Sequence, residues 1–226
     1  MSYQTELHSA LNQRSMSEKT KHFLNPLTTN GFKHIFGDEQ HKELLKELLN
    51  AFLRREKQIE DFVIYEDPEA LNMQESLLTV KCRSTDGEQL IIVIRRIAEE
   101  GFREESRKFI TAYFKRIAKS SQNNQKPEVT ACYLLGFVDF ELNENLRYLH
   151  FKDVCMMRMQ NNQIFSGMLG FKFLELRNFN LSEQELEDDL EQWIYTLKNL
   201  HHLTEIPQSF KDPYLLQVFK RAEILN

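Results

Sequence analysis

Two apolar segments rich in β-branched residues, separated by a short polar stretch, stand out in the hydrophobic pattern of this chain. They are residues 77–82 and 90–97, and the polar stretch between them contains Asp86-Gly87. Asp-Gly between such segments is a strong signal for a β-hairpin. The second segment is apolar at five consecutive positions, 90–94, which is typical of a strand covered on both faces. The pattern therefore predicts a hairpin whose second strand is central in a sheet.

Four longer segments carry the period of a helix, with apolar residues three and four positions apart. They are residues 38–55, 99–120, 182–197 and 214–224. Ser182 and Glu185 form the Ser-x-x-Glu signature of a capping box, so the third of these helices is predicted to begin at Ser182. A short helical turn is also predicted within residues 23–37.

Four segments outside the hairpin and the predicted helices are predicted to be strands, because they alternate or are continuously apolar. They are residues 58–65, 129–140, 146–160 and 163–176. A predicted helix lies between the hairpin and the strand at 129–140, so that strand is predicted to run parallel to one hairpin strand. The fold class is therefore α/β, with a central mixed β-sheet flanked by helices and a C-terminal helical extension.

Three regions are predicted along the chain. Residues 1–22 are polar and are expected to form a poorly ordered or loosely attached arm. Residues 23–180 are expected to form the α/β core, and residues 181–226 the C-terminal helices packed on it. At 226 residues the chain is long enough for one large α/β domain.

Composition favours a cytoplasmic protein with no membrane contact. No apolar run approaches the roughly 20 residues that a membrane span needs, and the first 21 residues lack the apolar stretch of a signal peptide. Cys82, Cys132 and Cys155 are widely spaced, which predicts reduced core thiols rather than disulfides or a zinc site. The net charge of −5 gives no general attraction to nucleic acid.

Cationic residues nevertheless cluster in and after the second hairpin segment. They are Arg95, Arg96, Arg103, Arg107, Lys108, Lys115, Arg116 and Lys119. Four acids lie among them: Glu99, Glu100, Glu104 and Glu105. Mixed charge of this kind on a helix predicts a solvated face more than a phosphate-binding groove.

The sequence resembles the PD-(D/E)XK nuclease family transposases, or recombination-promoting nucleases. The likeness is carried by FLNPLTTNGFKHIFGDE at residues 23–39, by the hairpin, and by FLELRNFNLSEQELEDDLEQWIYTLKN at residues 173–199. It runs from about residue 23 to the C-terminus. The resemblance implies a restriction-endonuclease-like core and a Mg²⁺-dependent DNA endonuclease of a bacterial mobile element.

The resemblance also implies where the active site lies. The family carries one aspartate before Val-Lys-Cys on the first hairpin strand, a Glu-x-Gln motif on the second strand, and an upstream aspartate before Phe-Lys. The aligned residues here are Thr79, Val93 with Arg95, and Thr29, and only Lys81 is retained. Metal-dependent hydrolysis needs carboxylates, since Mg²⁺ prefers hard oxygen ligands. We therefore expect no bound metal or other cofactor, and a cationic site without a fixed acid.

Acids elsewhere in the chain are candidates to replace the missing ligands. They are Glu43, Glu47, Glu75, Asp86 and Glu88. Glu43 and Glu47 can contribute only if their helix packs over the site, and their simpler interpretation is exposed charge paired with neighbouring lysines. The other three lie away from the middle of the hairpin, where the family's acids meet.

Three functions stay open on the sequence alone, so whether the chain is an enzyme is not decided. In the first, a catalytically inactive protein binds nucleic acid through Lys81, Arg95 and Arg96, or binds a protein partner. In the second, the chain is an active Mg²⁺-dependent DNA endonuclease with a relocated acidic site. In the third, it is a purely structural or regulatory partner, for example of an active paralogue.

Overall fold

Strands and helices alternate along the part of the chain that the computed structural model describes, residues 22–53, 57–64, 76–122, 131–142, 151–157 and 164–224. The strands are β1 His22–Phe23, β2 Ile59–Ile64, β3 Ser76–Ser84, β4 Gln89–Ile97, β5 Ala131–Val138, β6 Phe151–Met157, β7 Ile164–Glu175 and β8 Glu223–Ile224. The α-helices are α1 Thr29–Phe36, α2 Lys42–Leu53, α3 Phe102–Gln122, α4 Asp189–Asn199 and α5 Pro213–Ala222.

Six of the strands form one mixed sheet in the order β2-β3-β4-β5-β7-β6. The predicted hairpin is confirmed: β3 and β4 are antiparallel, and Gly87 in their turn has a φ of 82°, a conformation that glycine adopts without strain. Strand β5 runs parallel to β4, and β7 runs parallel to β5. Helix α3 makes the crossover between β4 and β5, so the predicted α/β class and the parallel pairing are both confirmed.

Apolar layers cover both faces of β4. Residues 90–94 are each at most 2% exposed, which confirms that β4 is central. Alternate side chains serve different layers because successive residues of a strand point to opposite faces. Ile91 and Val93 pack with Phe109 of α3, and we call this side the α3 face. Ile92 and Ile94 pack in the larger cluster that contains the apolar sides of α1, α2, α4 and α5.

The C-terminal helices share the core of the sheet rather than forming a separate one. Trp193, Ile194 and Leu197 of α4 and Val218 and Phe219 of α5 belong to the larger cluster. Burying a side chain of this size is worth about 1.5–3 kcal/mol, so these two helices contribute substantially to stability. Strand β8, directly after α5, pairs with β1 and so joins the two ends of the described chain.

The predicted start of the first C-terminal helix is wrong. The Ser182–Glu185 capping box is present, but it caps a single 3₁₀ turn, Glu183–Glu185. The backbone turns extended at Leu186, with φ −74° and ψ 119°, and helix α4 begins only at Asp189. Asp188 provides the cap, because its side chain accepts a hydrogen bond from the backbone N–H of Glu191 at 2.8 Å.

Three other expectations concern the cysteines, the N-terminal arm and membrane-spanning helices. Cys82 and Cys132 are buried free thiols, as predicted, and burial raises the pKa of Cys82. The predicted arm lies outside the described residues apart from His22, which begins β1. Within the described ranges, none of the helices combines the length and apolar character needed to cross a membrane.

Arg221 fastens helix α5 to the end of helix α1. Its guanidinium donates to the carbonyl oxygens of Ile35 at 2.9 Å and His34 at 2.6 Å, which are among the carbonyls that a helix end leaves without intrahelical partners. It also lies 3.1 Å from the carboxylate of Asp38. Asp38 in turn accepts hydrogen bonds from the backbone N–H of Gln40 and from His41. The Gln40 N–H first, and then His41 and Arg221, lower the pKa of Asp38.

We predict that Asp38→Asn loses its destabilising effect in acid. A carboxyl whose pKa is lower in the folded state than its ordinary value of 3.8 stabilises the fold above that value, and this contribution disappears as the pH falls through the folded pKa. Urea unfolding of wild type and variant from about pH 6 to about pH 3 measures the difference. Glu39→Gln, at the exposed neighbouring position, is the control. A stability difference between wild type and Asp38→Asn that stays constant over this range would contradict the role of the Asp38 charge.

Candidate functional site

The two hairpin positions at which the resemblance places acids are direct cross-strand neighbours. Thr79 of β3 is paired with Val93 of β4 in the antiparallel ladder, and Val93 is in turn paired with Leu134 of the parallel strand β5. Cβ atoms of such antiparallel neighbours lie about 4.5–5.5 Å apart, close enough for two side chains to share one ligand. The structure thus brings positions 79 and 93 together on the α3 face, as the alignment requires.

Val93 is part of the core and not of a solvent-accessible site. It is 0% exposed and lies in the apolar cluster with Phe109, Leu134 and Phe173. An unpaired carboxylate at this depth would lose its hydration without compensation, which costs several kcal/mol or forces the group to stay protonated. The residue that stands where the family has its glutamate is therefore suited to packing against α3.

Arg95 makes a buried ion pair with Glu105. Its guanidinium Nη1 contacts Glu105 Oε2, and the two side chains are 4% and 18% exposed. The second carboxylate oxygen of Glu105 lies 3.4 Å from Lys108 Nζ. Our expectation of a cationic site without a fixed acid is therefore wrong, and so is the assignment of Glu105 to a solvated face. Arg95 needs a counter-charge because an unpaired buried cation is costly, and α3 supplies it.

Helical spacing contained a signal for Glu105 that the sequence interpretation missed. Glu105 lies three residues after Phe102 and four before Phe109, and both of these aromatic residues pack toward the sheet. Residues at these intervals share one side of a helix. The position of Glu105 alone therefore placed it on the buried side of α3. Arg95 is the cation on the α3 face that is nearest to Glu105 in sequence.

The other positions named by the resemblance, or predicted to bind phosphate, fall in two places. Lys81 is half-buried on β3, opposite Ile91 and so on the α3 face. Thr29 is the exposed first residue of α1 and lines a cleft of about 410 Å³ together with Arg96 and Asp139. The guanidinium of Arg96 lies 3.3 Å from the carboxylate of Asp139, and both side chains are at least half exposed. Arg96 and Thr29 thus line the same cleft, and neither Val93 nor Arg95 lines it.

The candidate replacement acids that the structure describes do not gather at the hairpin centre. Glu43 and Glu47 lie on α2, whose apolar side packs in the larger cluster, behind the face of β4 that carries Val93. Glu43 is paired with Lys46, as the simpler interpretation predicted, and loss of hydration raises the pKa of Glu47. Lys42, by contrast, pairs with Asp61 of β2 at 2.7 Å.

The remaining candidates are at the hairpin turn or outside the described residues. Asp86 and Glu88 both contact Lys57 near the turn, and Glu75 lies outside the residues that the structure describes. Across the described ranges, no three or more His, Cys, Asp or Glu side chains are grouped so as to hold a metal ion.

The residues at the hairpin centre do not fit the Mg²⁺ ion that the resemblance implies. Thr79 offers a hydroxyl, Val93 offers no polar atom, and the carboxylate of Glu105 already binds Arg95. Mg²⁺ requires hard oxygen ligands and normally one or two carboxylates. The guanidinium also repels a divalent cation. We therefore derive no hydrolytic step from this arrangement.

We predict that removing either charge of the buried pair destabilises the fold more than removing an exposed one. Glu105→Gln leaves Arg95 buried without its counter-charge and should lower the free energy of unfolding by about 3 kcal/mol or more. Arg107→Gln breaks the exposed pair with Glu104 and should cost less than about 1 kcal/mol. Urea unfolding compares them.

The double variant Arg95→Met with Glu105→Leu separates the effect of the Arg95–Glu105 ion pair on stability from the effect of side-chain packing. Two apolar residues of similar volume should recover most of the stability lost in Glu105→Gln, because both buried charges are then absent. Equal losses for Glu105→Gln and Arg107→Gln would show that the ion pair does not hold α3 on the sheet.

Comparison with protein families identifies the chain's relatives. A search of curated proteins and a search of solved structures each gave no match. The family described as PD-(D/E)XK nuclease family transposase matches residues 26–226, nearly the whole chain. The mixed sheet with helices on both faces is consistent with the nuclease fold of that family. The chain therefore belongs to the PD-(D/E)XK nuclease family transposases.

Proposed function

We propose that this chain is a nuclease-fold protein that has lost phosphodiester hydrolysis and acts by binding a protein partner. The observation that carries the proposal is the Thr79–Val93 cross-strand pair. Where the resemblance places two metal-binding acids side by side, this chain has one hydroxyl and one apolar side chain that is 0% exposed. A fold survives the loss of its active site, and function depends on the residues of the site.

The hairpin centre has a structural role that explains its composition. Val93 fills the layer between the sheet and α3, and Arg95 binds Glu105 across the same layer. Both residues hold α3 against β4, the strand that a nuclease of this family uses to present its glutamate. Restoring the family's residues would disrupt these contacts, since Val93→Glu buries a charge and Arg95→Gln leaves Glu105 without its strongest partner.

The charges near the hairpin support a protein partner more than nucleic acid. Binding to nucleic acid rests on cations that are available to neutralise phosphates. Arg95 is buried against Glu105, and Arg96 has the carboxylate of Asp139 at 3.3 Å. Two of the three cations expected to bind phosphate are thus already near acids, in a chain whose net charge is −5.

An active Mg²⁺-dependent DNA endonuclease with a relocated acidic site is the second candidate. One observation favours it: Glu105 brings a carboxylate from α3 to the hairpin strand that carries position 93. Mg²⁺ is often held by one or two carboxylates together with water and substrate phosphate. This carboxylate is engaged by Arg95, which is why we rank the candidate second. The cytoplasmic location, and a role on a mobile element, stay predictions.

We predict that the purified full chain does not cleave plasmid DNA in Mg²⁺ or Mn²⁺, because the described residues bring no pair of carboxylates to the hairpin centre to hold the metal. A family member that retains both hairpin acids is the positive control, assayed under identical conditions. Gel analysis of nicked and linear plasmid is the measurement.

Cleavage by the natural chain would contradict the proposal, and two variants would then locate the acid. Loss of cleavage in a Glu105→Gln variant that circular dichroism shows to be folded, with activity kept in Glu43→Gln, would establish a relocated site on α3. The reverse result would place it on α2. A variant with Thr79→Asp, Val93→Glu and Arg95→Gln tests restoration, with circular dichroism to confirm that it folds.

A further inference from the structure

The outward side of helix α3 carries an excess of positive charge. Its exposed charged residues, among the side chains that the structure describes, are Arg103, Glu104, Arg107, Lys108 and Lys115. The excess arises because the other acid of the helix, Glu105, is turned inward to Arg95. Glu104 binds Arg107, and Lys108 lies 3.4 Å from Glu105 and 4.0 Å from Glu104. This basic surface is local, since the whole chain has a net charge of −5.

A large apolar side chain is exposed within this basic surface. Phe114 is 55% exposed, the highest value among the large apolar residues that the structure describes. Its ring contacts the edge of Tyr113, with centroids 5.4 Å apart, and this contact covers only part of it. Covering a phenylalanine is worth about 1.5–3 kcal/mol, so a partner that buries this ring gains substantial free energy.

The apolar and basic residues lie on the same side of the helix. Phe114 is seven residues after Arg107 and four after Ile110, which is half-buried, and these intervals correspond to about two turns and one turn. Arg103 lies one further turn toward the helix start. We call the side formed by Arg103, Arg107, Ile110 and Phe114 the Phe114 surface.

We propose that the Phe114 surface binds an acidic segment of a partner protein, with Phe114 packing against an apolar side chain of that segment. The inference rests on the proposed function and identifies the surface and the chemistry of the partner. Charge complementarity calls for acidic residues opposite Arg103 and Arg107. Aromatic residues and arginine are enriched in protein interfaces and dominate their binding energy. Bases of a single strand stack on aromatic rings, but the net charge of −5 opposes binding of a polyanion, so a protein partner is favoured.

Peptide selection on the full chain tests the proposal directly. A displayed library of random peptides is selected on the purified protein, and enriched peptides are synthesised with a fluorophore. We expect sequences that combine Asp or Glu with an aromatic residue or leucine. Fluorescence anisotropy then gives the Kd of each peptide for wild type and variants, at low and high salt.

The variants distinguish a specific surface from general charge attraction. Phe114→Ala should weaken binding at least about tenfold, as expected for an interface hot spot. Arg107→Gln should weaken it less and reduce the salt dependence, because one charge contact is lost. Ile206→Ala, which removes an exposed apolar side chain on the loop between α4 and α5, should leave the Kd unchanged. Circular dichroism confirms that each variant is folded.

Several outcomes would overturn the proposal. They are no enriched peptide, enriched peptides without acidic residues, and peptides that bind wild type and Phe114→Ala equally. Binding of a single-stranded or duplex DNA oligonucleotide that requires Phe114 would assign the surface to nucleic acid instead. Wild-type dimers in light scattering that Phe114→Ala converts to monomers would assign it to a second copy of the chain.

Failure of this inference is distinguishable from failure of the proposed function. Metal-dependent cleavage of plasmid DNA by the natural chain overturns the proposed function, whatever binds α3. A chain that does not cleave, and whose selected peptides bind independently of Phe114, overturns only the assignment of the Phe114 surface.

Discussion

Strand β4 is buried on both faces, and this burial limits which side chains the strand can carry. A strand in that position can carry a charged side chain only if a partner reaches it, because an isolated buried charge is too costly. Val93 meets the constraint by being apolar, and Arg95 meets it by pairing with Glu105. The resemblance places a metal site at the corresponding positions. Here the same constraint is satisfied by packing and by an ion pair within the chain.

The hairpin strand that carries Val93 also holds α3. The guanidinium of Arg95 binds a carboxylate of α3, beside the layer formed by Val93, Phe109 and Phe173. The helix is thus bound to the sheet by one ion pair and by aromatic packing. Because Glu105 is directed inward, the outer side of α3 is left basic around the exposed ring of Phe114. The Arg95–Glu105 ion pair thus links the hairpin to the proposed binding surface.

Local patterns predicted most of the fold, and long-range contacts account for what they missed. Asp-Gly predicted the hairpin. Five consecutive apolar residues predicted the central position of β4, and one intervening helix predicted the parallel strand β5. The beginning of α4 was misplaced because Ser182 caps a 3₁₀ turn that ends at Leu186. The hydrogen bond from the Arg221 guanidinium to the carbonyl oxygen of Ile35 joins residues 186 positions apart, and no local pattern predicts such a contact.

The site was predicted less completely than the fold. The resemblance places positions 79 and 93 together in the middle of the hairpin, and the register of the antiparallel ladder pairs them. Glu105 was assigned to the solvent because the charges around it are mixed, although its spacing from Phe102 and Phe109 placed it on the buried side. Charge composition alone does not tell which member of a mixed cluster turns inward.

The most direct test of the central claim is whether Mn²⁺ binds at the hairpin centre. Nuclear magnetic resonance of the isotope-labelled full chain during Mn²⁺ titration reports this, because the paramagnetic ion broadens the amide signals near it. If the hairpin centre binds no metal, the signals of Thr79, Val93 and Arg95 lose no more intensity than that of Val218, a buried residue of α5. Selective loss of the Thr79 and Val93 signals would contradict the central claim and would show that a metal site persists.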